Sequence, residues 1–451
     1  MFGDDTMENQ SMVNGPIIKK LIMFAIPIFL GNLFQQLYNT ADSLIVGNFL
    51  GSSALAAVSS SGNLIFLMIG FFQGISVGAG VVIAKFYGAK DEKRLISSIH
   101  TTVALAFICG VFLTVFGIIL APKILVLMGT PSEIMNNSVS YFRIYFIGSL
   151  AFVLYNFLTG IMQAIGDSKH PLYYLIVSSV INVILDILFI SFFHMGVASA
   201  AWATIISQFI SCILCFAHLT KREDECHLNL SMIKIDFLSL KQIVSQGLPT
   251  GFQNSIIAFA NVVVQSHINS FGKMAVAGSG SYSKIEGFVF LPVLSMAFAL
   301  TTFISQNLGA KEYDRIKKGA KFGLICSLVL AELIGVVIYI FSPQLISLFD
   351  STKEVVYYGT LQARTVSLFY FLLSFSHCIA GILRGAGKSM VPMIVMLVFW
   401  CIIRVSYITV AVSIVKSIQT VYFAYPLTWG LSSITFLIYY LKIDWEKVII
   451  E

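Results

Sequence analysis

Four polar residues, Gln35, Tyr38, Asn39 and Asp42, lie within the first long apolar segment of the sequence. Their spacing of i, i+3, i+4 and i+7 places them on one face of a helix. An ionised carboxylate inside a membrane is costly unless it is protonated, paired with a cation or turned towards water. Asp42 is therefore a candidate functional residue that needs partners, and the other three form its supporting face.

Two more polar residues are predicted to lie at the depth of Asp42. Asp186 and Thr204 are in the fifth and sixth predicted membrane spans, and the helical rise puts all three roughly 12–14 Å below the outer surface. Asn182 is one turn before Asp186 on the same helical face. Two carboxylates, an amide and a hydroxyl can share a proton or hold a hard cation such as Na⁺. The alternative is that Asp42 and Asp186 are solvated separately and serve the structure.

Other polar side chains within apolar spans are candidates for a substrate-binding cleft. The seventh span carries three of them at helical spacing, which predicts one polar face. Glu286, in the eighth span, is expected either to contact a cationic substrate or to pair with an arginine on a neighbouring helix. The full candidate set is Asn156, Gln163, Asn254, Asn261, Gln265 and Glu286.

The elements that carry these residues are membrane-spanning helices. The chain has 451 residues, of which 57% are hydrophobic and 11% are charged, against about 25% charged in a typical soluble domain. We expect no cleavable signal peptide before the first span. Twelve spans are predicted, at residues 17–47, 53–84, 96–121, 135–163, 170–193, 197–219, 239–269, 275–306, 317–342, 355–384, 389–415 and 418–441.

Charge divides sharply between the two sides of this predicted topology. The side that holds both termini carries 20 Lys and Arg residues, whereas the other side carries four. Cytoplasmic loops are enriched in Lys and Arg, so both termini are predicted to be cytoplasmic. The formal net charge of +6 is thereby explained by topology, and we expect no nucleic-acid partner.

An internal repeat occurs at an offset of 221 residues. The segments 51–56, 88–90 and 160–166 return at this offset with their glycines preserved. The repeat unit contains an even number of spans, so both copies have the same orientation. The predicted fold is an all-α membrane protein with twelve helices in two pseudo-symmetric six-helix lobes around a central cleft. The lobes are residues 1–219 and 239–451, joined by a cytoplasmic linker at 220–238.

The acid pair has no second copy. At the repeat offset, Asp42 and Asp186 correspond to Val263 and Tyr407, so the predicted cation site belongs to the first lobe alone. The segment 385–389 ends like a phosphate-binding loop but has Ile382 where that motif needs glycine. We therefore expect no nucleotide cofactor, and transport driven by an ion gradient.

The sequence resembles the multidrug and toxic compound extrusion (MATE) family over nearly its whole length. The resemblance is carried by QQLYNTAD at 35–42, Gly-Ala at 88–89, the glycines of 160–166 and Ala-Trp-Ala-Thr at 201–204. It implies twelve spans in two six-helix lobes, and the first-lobe residues look like those of the DinF-type bacterial branch.

In that branch the cation site, for H⁺ or Na⁺, is formed by residues that match four positions here. They are Asp42, Asn182, Asp186 and Thr204. The resemblance also implies that tyrosines at Tyr38 and Tyr141 line the pocket.

We therefore predict a multidrug efflux antiporter that exchanges H⁺ or Na⁺ for amphipathic, often cationic compounds, with no other cofactor or metal. It is expected to be a monomer in the bacterial cytoplasmic membrane and to have no enzymatic activity. One alternative is a lipid or lipid-linked oligosaccharide flippase of the same superfamily, for which Arg143, Arg364 and Arg404 would supply cationic contacts. A membrane-embedded enzyme or receptor is a further alternative.

Overall fold

A computed structural model of the chain describes residues 11–50, 52–127, 132–193, 196 and 198–446. Within these residues the regular structure is helical, and no strand is present. A helix satisfies every backbone N–H and C=O inside its own segment, as a bilayer requires. The predicted all-α class is confirmed.

Helices α1 to α7 occupy the first half of the described chain, and π-helical turns at Leu188–Phe192 extend α6. The seven are α1 (Ile17–Leu50), α2 (Ser52–Ala89), α3 (Glu92–Leu127), α4 (Ser132–Ile147), α5 (Ser149–Ala164), α6 (Lys169–Ile187) and α7 (Ala198–Thr220).

Helices α8 to α15 occupy the second half, and π-helical turns at Leu397–Ile403 join α13 to α14. The eight are α8 (Phe237–Asn269), α9 (Lys273–Gly309), α10 (Tyr313–Ser347), α11 (Lys353–Val366), α12 (Tyr370–Gly385), α13 (Met390–Met396), α14 (Arg404–Val415) and α15 (Ile418–Leu441).

Most of these helices are long and apolar enough to cross a membrane. Among the described residues, ten spans meet that condition, and α4 with α5 provides an eleventh that bends by 47°. Helix α8 corresponds to the predicted seventh span. Its 33 residues, at a rise of about 1.5 Å each, make it longer than the hydrocarbon layer is thick. It is not among the ten apolar spans, because its Asn and Gln side chains make it more polar than the other long helices.

The described chain forms two compact units. The first unit contains residue 11 and residues 30–247, and the second contains residues 12–29 and 248–446. The start of α1 therefore packs within the second unit, where Leu21 and Phe24 are buried in its largest apolar cluster. The predicted linker 220–238 lies in the first unit, where the backbone N–H of Asn229 donates to Nε2 of His100 at 3.1 Å. The predicted lobe boundaries stay a prediction.

The internal repeat is visible in the backbone of the two units. Lys90 and Lys311 both have positive φ, at 54° and 60°, and each follows the end of a long helix. Gly166 and Gly387 also have positive φ, at 94° and 73°. Both pairs are separated by the offset read from the sequence, so the repeated motifs form the same helix-ending turns.

Candidate functional site

The carboxyl groups of Asp42, on α1, and Asp186, near the end of α6, interact directly in the first unit. The Oδ1 atom of each is buried and receives no hydrogen bond from the described residues. Adjacent carboxylates without a donor repel each other. The pair therefore calls for a shared proton or a bound cation.

Asn182 connects Asp186 to the neighbouring helix α7. With the amide oriented to satisfy its contacts, its nitrogen donates to Oδ2 of Asp186 at 3.2 Å. Its oxygen accepts from the backbone N–H of Thr204 at 3.3 Å. Asn182 and Asp186 are fully buried, and Thr204 is nearly so. The structure thus brings these three residues into contact, and Asp42 joins them through Asp186.

The Thr204 hydroxyl adds an oxygen acceptor. It donates its proton to the backbone carbonyl of Ala200 at 2.9 Å, which leaves its lone pairs available. Two carboxylates and a hydroxyl are hard oxygen ligands, which Na⁺ prefers as Ca²⁺ and Mg²⁺ do. The same carboxylates can hold a proton instead. These side chains therefore suit either coupling ion.

Two tyrosines border the carboxyl pair. Tyr38 and Tyr141 lie close enough to both Asp42 and Asp186 for electrostatic interaction. The Tyr141 ring stacks on Tyr145, with centroids 6.3 Å apart and planes inclined by 28°. A phenol can donate one hydrogen bond to a carboxylate and also accept one. The tyrosines therefore give the pair a polar but rigid border.

The supporting face of α1 is divided. Tyr38 is beside the carboxyl pair, Gln35 is half-buried, and Asn39 is exposed. Consecutive residues of a helix point about 100° apart, so Tyr38 and Asn39 occupy opposite edges of a polar face. When Tyr38 turns inward, Asn39 turns outward. The two edges of the predicted face therefore have different surroundings, and the supporting role of these residues stays a prediction.

The structure adds three residues that the sequence interpretation missed. Gln208 lies beside Tyr38, and Tyr145 and Tyr155 are near it too. The signal for Gln208 was its position four residues after Thr204, which puts both on one face of α7. Tyr145 follows Tyr141 by the same interval. Tyr155 carried no comparable signal.

Of the candidate cleft residues in the first unit, Asn156 is engaged in helix packing. Its side-chain nitrogen donates to the carbonyl of Phe152 at 2.8 Å, and its backbone carbonyl accepts from Ser76 Oγ at 2.7 Å. Gln163, one turn before the left-handed Gly166, is half-buried. Among the described residues, neither of these two forms a hydrogen bond with the carboxyl pair.

The candidate cleft residues on α8 differ in solvent exposure. Asn254 is half-buried, whereas Asn261 and Gln265 are exposed on the surface of the second unit. Gln265 donates to Oδ1 of Asn269 at 2.9 Å. The polar face predicted for this helix is present, and its role in binding a substrate stays a prediction.

Glu286 belongs to a hydrogen-bonded chain in the second unit. The hydroxyl of Tyr282 lies 3.1 Å from Oε1 of Glu286 and 2.7 Å from the hydroxyl of Tyr370. Both tyrosines are fully buried. Arg404 is close enough to attract Glu286 electrostatically, but the two form no ion pair within 4.0 Å in the described structure. Glu286 is therefore held mainly by a phenol.

Arg404 is itself enclosed by other groups. Its Nε and Nη2 atoms donate to Oγ1 of Thr428 at 3.1 and 3.0 Å. The guanidinium carbon lies 4.5 Å from the ring centroid of Tyr425 and 5.4 Å from that of Trp400. Arg143 and Arg364, by contrast, are exposed. The aromatic faces stabilise a buried cation that has no carboxylate within ion-pair distance.

Comparison with known proteins finds one family and its members as matches along nearly the whole chain. The MatE family model matches twice, at residues 27–188 and 249–410. The probable multidrug resistance protein YoeA of Bacillus subtilis is 30% identical over 442 residues, which cover 95% of this chain and 94% of that protein. The probable multidrug resistance protein NorM of Thermotoga maritima is 28% identical over 388 residues, which cover 84% and 82%.

Solved structures show the same fold. An outward-facing multidrug resistance MATE family transporter of the MOP superfamily superposes with a TM-score of 0.90 at 24% identity. The alignment covers 96% of this chain and 99% of that chain. At this level of identity the likeness shows the fold alone, with its two repeated lobes.

Proposed function

Because this chain belongs to the MatE family of multidrug and toxic compound extrusion transporters, we propose that it is a cation-coupled multidrug efflux antiporter. It would export amphipathic, often cationic compounds in exchange for inward H⁺ or Na⁺, by alternating access. Support comes from the relatives YoeA and NorM, which are both named as probable multidrug resistance proteins. The coupling itself is supported by the geometry of the first unit.

One observation carries the coupling proposal: the carboxyl groups of Asp42 and Asp186 interact directly, and the buried Oδ1 atom of each lacks a donor among the described residues. A proton or sodium ion bound between them would remove their repulsion. Asp42 is on α1 and Asp186 on α6, so occupancy would favour one arrangement of the two helices over another. A ligand shifts such an equilibrium only by its differential affinity for the two arrangements. The ion gradient would then drive the exchange.

The other residues of the site have supporting roles in this proposal. Asn182 fixes the Asp186 carboxyl and links α6 to α7. Thr204 supplies a hydroxyl oxygen for Na⁺, or stays a structural neighbour when the ion is H⁺. Tyr38 and Tyr141 border the carboxyl groups and can donate hydrogen bonds to them. No further cofactor is required.

We place the transporter in the bacterial cytoplasmic membrane with both termini in the cytoplasm. The strong excess of Lys and Arg on one side of the predicted topology supports this orientation. Cysteine accessibility tests it directly. In a variant without the seven native cysteines, a single cysteine introduced at Lys221, on the side rich in Lys and Arg, should react only with membrane-permeant reagents in intact cells.

The coupling proposal is tested by ethidium efflux from proteoliposomes that carry either a pH gradient or a sodium gradient. Asp42→Asn keeps the size of the side chain but removes the negative charge, so gradient-driven efflux should fall to background. Asp314→Asn is the matched control, because Asp314 is an exposed acid in the first turn of α10. The gradient that drives wild-type efflux identifies the ion.

Two results would contradict the proposal. Undiminished efflux by a folded Asp42→Asn protein would remove Asp42 from coupling. Wild-type efflux that responds to neither gradient would exclude H⁺ and Na⁺ as coupling ions. Size-exclusion chromatography of each purified variant separates loss of transport from loss of folding.

A further inference from the structure

Three side chains with metal-ligating atoms meet at one end of the first unit, away from the carboxyl pair. Asp167 lies in the turn after α5, His170 in the first turn of α6, and His218 in the last turn of α7. Their ligand atoms lie within 4.8 Å of one another. The sequence interpretation did not single out any of the three.

The backbone fixes the direction of the Asp167 carboxylate. Gly166 adopts a left-handed φ of 94°, which a residue with a side chain would resist. Oδ1 of Asp167 accepts the backbone N–H of His170 at 3.2 Å. Oδ2 is thereby turned towards the two imidazoles, 2.7 Å from Nδ1 of His170 and 3.5 Å from Nε2 of His218.

The two histidines are held differently. Nε2 of His218 is buried and has no aligned hydrogen-bond partner in the described structure, although it faces Oδ2 of Asp167. Nδ1 of His218 lies 3.0 Å from the hydroxyl of Tyr174. A partner on one ring nitrogen orients the ring and leaves the other nitrogen for a metal, as second-shell groups do in known metal sites. The His170 and His218 rings are 4.3 Å apart.

The local charge suits a cation. The Asp167 side chain is only 2% exposed, and its carboxylate oxygens face the backbone N–H of His170 and both imidazoles. Arg222 interacts electrostatically with Asp167, and its Nε donates to both carboxylate oxygens of Asp224 at 3.0 and 2.9 Å. That ion pair offsets its repulsion of a bound cation.

We propose that Asp167, His170 and His218 form a binding site for one divalent transition-metal ion, with Zn²⁺ as the best match. Two imidazoles and a carboxylate are ligands that Zn²⁺ prefers, whereas Mg²⁺ and Ca²⁺ select oxygen alone. Water would complete the coordination. The ion would tie the turn after α5 to the end of α7, independently of the carboxyl pair formed by Asp42 and Asp186.

Two of the three distances between ligand atoms are close to those expected around Zn²⁺, and all three lie within 4.8 Å. Around tetrahedral Zn²⁺, bonds of about 2.0–2.1 Å place neighbouring ligand atoms about 3.3 Å apart. The distance from Oδ2 of Asp167 to Nε2 of His218, 3.5 Å, is close to this value. The distance from Asp167 to His170 is that of a hydrogen bond and must widen by roughly 0.6 Å. His170 has the most exposed side chain of the three, at 27%, and can give way.

Metal binding is tested on the full chain, purified in detergent micelles with a histidine-free tag and stripped with a chelator. Calorimetric titration with Zn²⁺ near neutral pH should show one ion per chain. His170→Gln, His218→Gln and Asp167→Asn should each weaken binding by about tenfold or more, and Tyr174→Phe by roughly tenfold. Binding should also weaken as the pH is lowered, because ligands must be deprotonated.

His267→Gln is the matched control, because His267 is a half-buried histidine of the second unit. It should leave the affinity and the one-to-one stoichiometry unchanged. Melting temperatures measured with chelator present identify any variant that fails to fold. If a variant of a ligand residue fails to fold, Tyr174→Phe still tests the site, because it keeps all three ligands. Zn²⁺ should raise the melting temperature of the wild type but not of the His170→Gln, His218→Gln double variant.

Two outcomes would overturn the proposal. One is wild-type protein that binds no Zn²⁺ at concentrations up to about 100 μM, far weaker than structural zinc sites. The other is a folded double variant that binds Zn²⁺ as the wild type does. In either case the three side chains would serve as a hydrogen-bonded brace of the turn.

Discussion

Gly78 and Gly247 are in backbone contact within the first unit. A Cβ atom on Gly78 would lie 2.2 Å from both the N and the Cα atoms of Gly247. The contact joins α2 to the start of α8. Small residues permit such an approach in membrane helices, and backbone atoms cannot move aside as a flexible side chain can.

Gly78→Ala should therefore destabilise the protein. The added methyl group forces the two helices apart, and overpacking of this kind costs about 1–3 kcal/mol. Denaturant titration of the purified protein in micelles measures the loss. Gly280→Ala is the control, because a Cβ atom there meets nothing within 4 Å. Equal stability of the two variants would contradict the contact.

Sequence patterns predicted the helices well because apolar runs of about 20 residues have few other solutions in a bilayer. The count of depth along the spans also singled out Asp186 and Thr204, and helical spacing added Asn182; the structure brings these three residues into contact. Depth works here because the helical rise is constant. Helical spacing places Asn39 and Tyr38 on one face of α1, but it cannot show that the two edges of that face have different surroundings.

Contacts between distant segments could not be read in the same way. Asp167 and His218 are joined only by the packing of α7 against the turn after α5, and no spacing rule predicts that packing. Gln208 was overlooked because a single amide in an apolar span carries little signal by itself. Its relation to Thr204 becomes informative only when α7 is known to face Tyr38.

Asn182→Leu should reduce both stability and transport. The change keeps the approximate volume but leaves Oδ2 of Asp186 without its donor, and an unsatisfied buried group costs about 1–3 kcal/mol. Ser178→Ala, one turn earlier on α6, is the control, because the Ser178 hydroxyl donates to Leu175 of its own helix. Denaturant titration and ethidium efflux provide the two readings. Wild-type behaviour of Asn182→Leu would show that the amide does not fix the carboxylate.

Asp236 should make stability depend on pH. Its Oδ2 accepts the backbone N–H of Ser239 at 2.9 Å, just before α8, and this bond together with the Ser239 hydroxyl lowers the pKa of Asp236. A lowered pKa means that the cap stabilises above the unfolded value of about 3.9 and is lost as pH falls below it.

Asp236→Asn keeps a capping oxygen but does not titrate. Between about pH 6 and pH 3, the melting temperature of the wild type should therefore fall further than that of Asp236→Asn. Asp314→Asn, at an exposed position on α10, should follow the wild type. Parallel curves for all three proteins would show that the Asp236 cap contributes nothing.

Arg404→Lys should destabilise the second unit although it preserves the charge. A lysine ammonium cannot stack on Tyr425 and Trp400 as the planar guanidinium does, nor reach Thr428 with two N–H groups at once. Loss of a desolvated cation–π contact costs on the order of 2 kcal/mol. Arg364→Lys is the control, because Arg364 is exposed and its one cation–π contact, with the Tyr339 ring at 5.7 Å, is weakened by solvent. If denaturant titration finds equal losses for both variants, charge alone rather than the aromatic enclosure holds Arg404 in place.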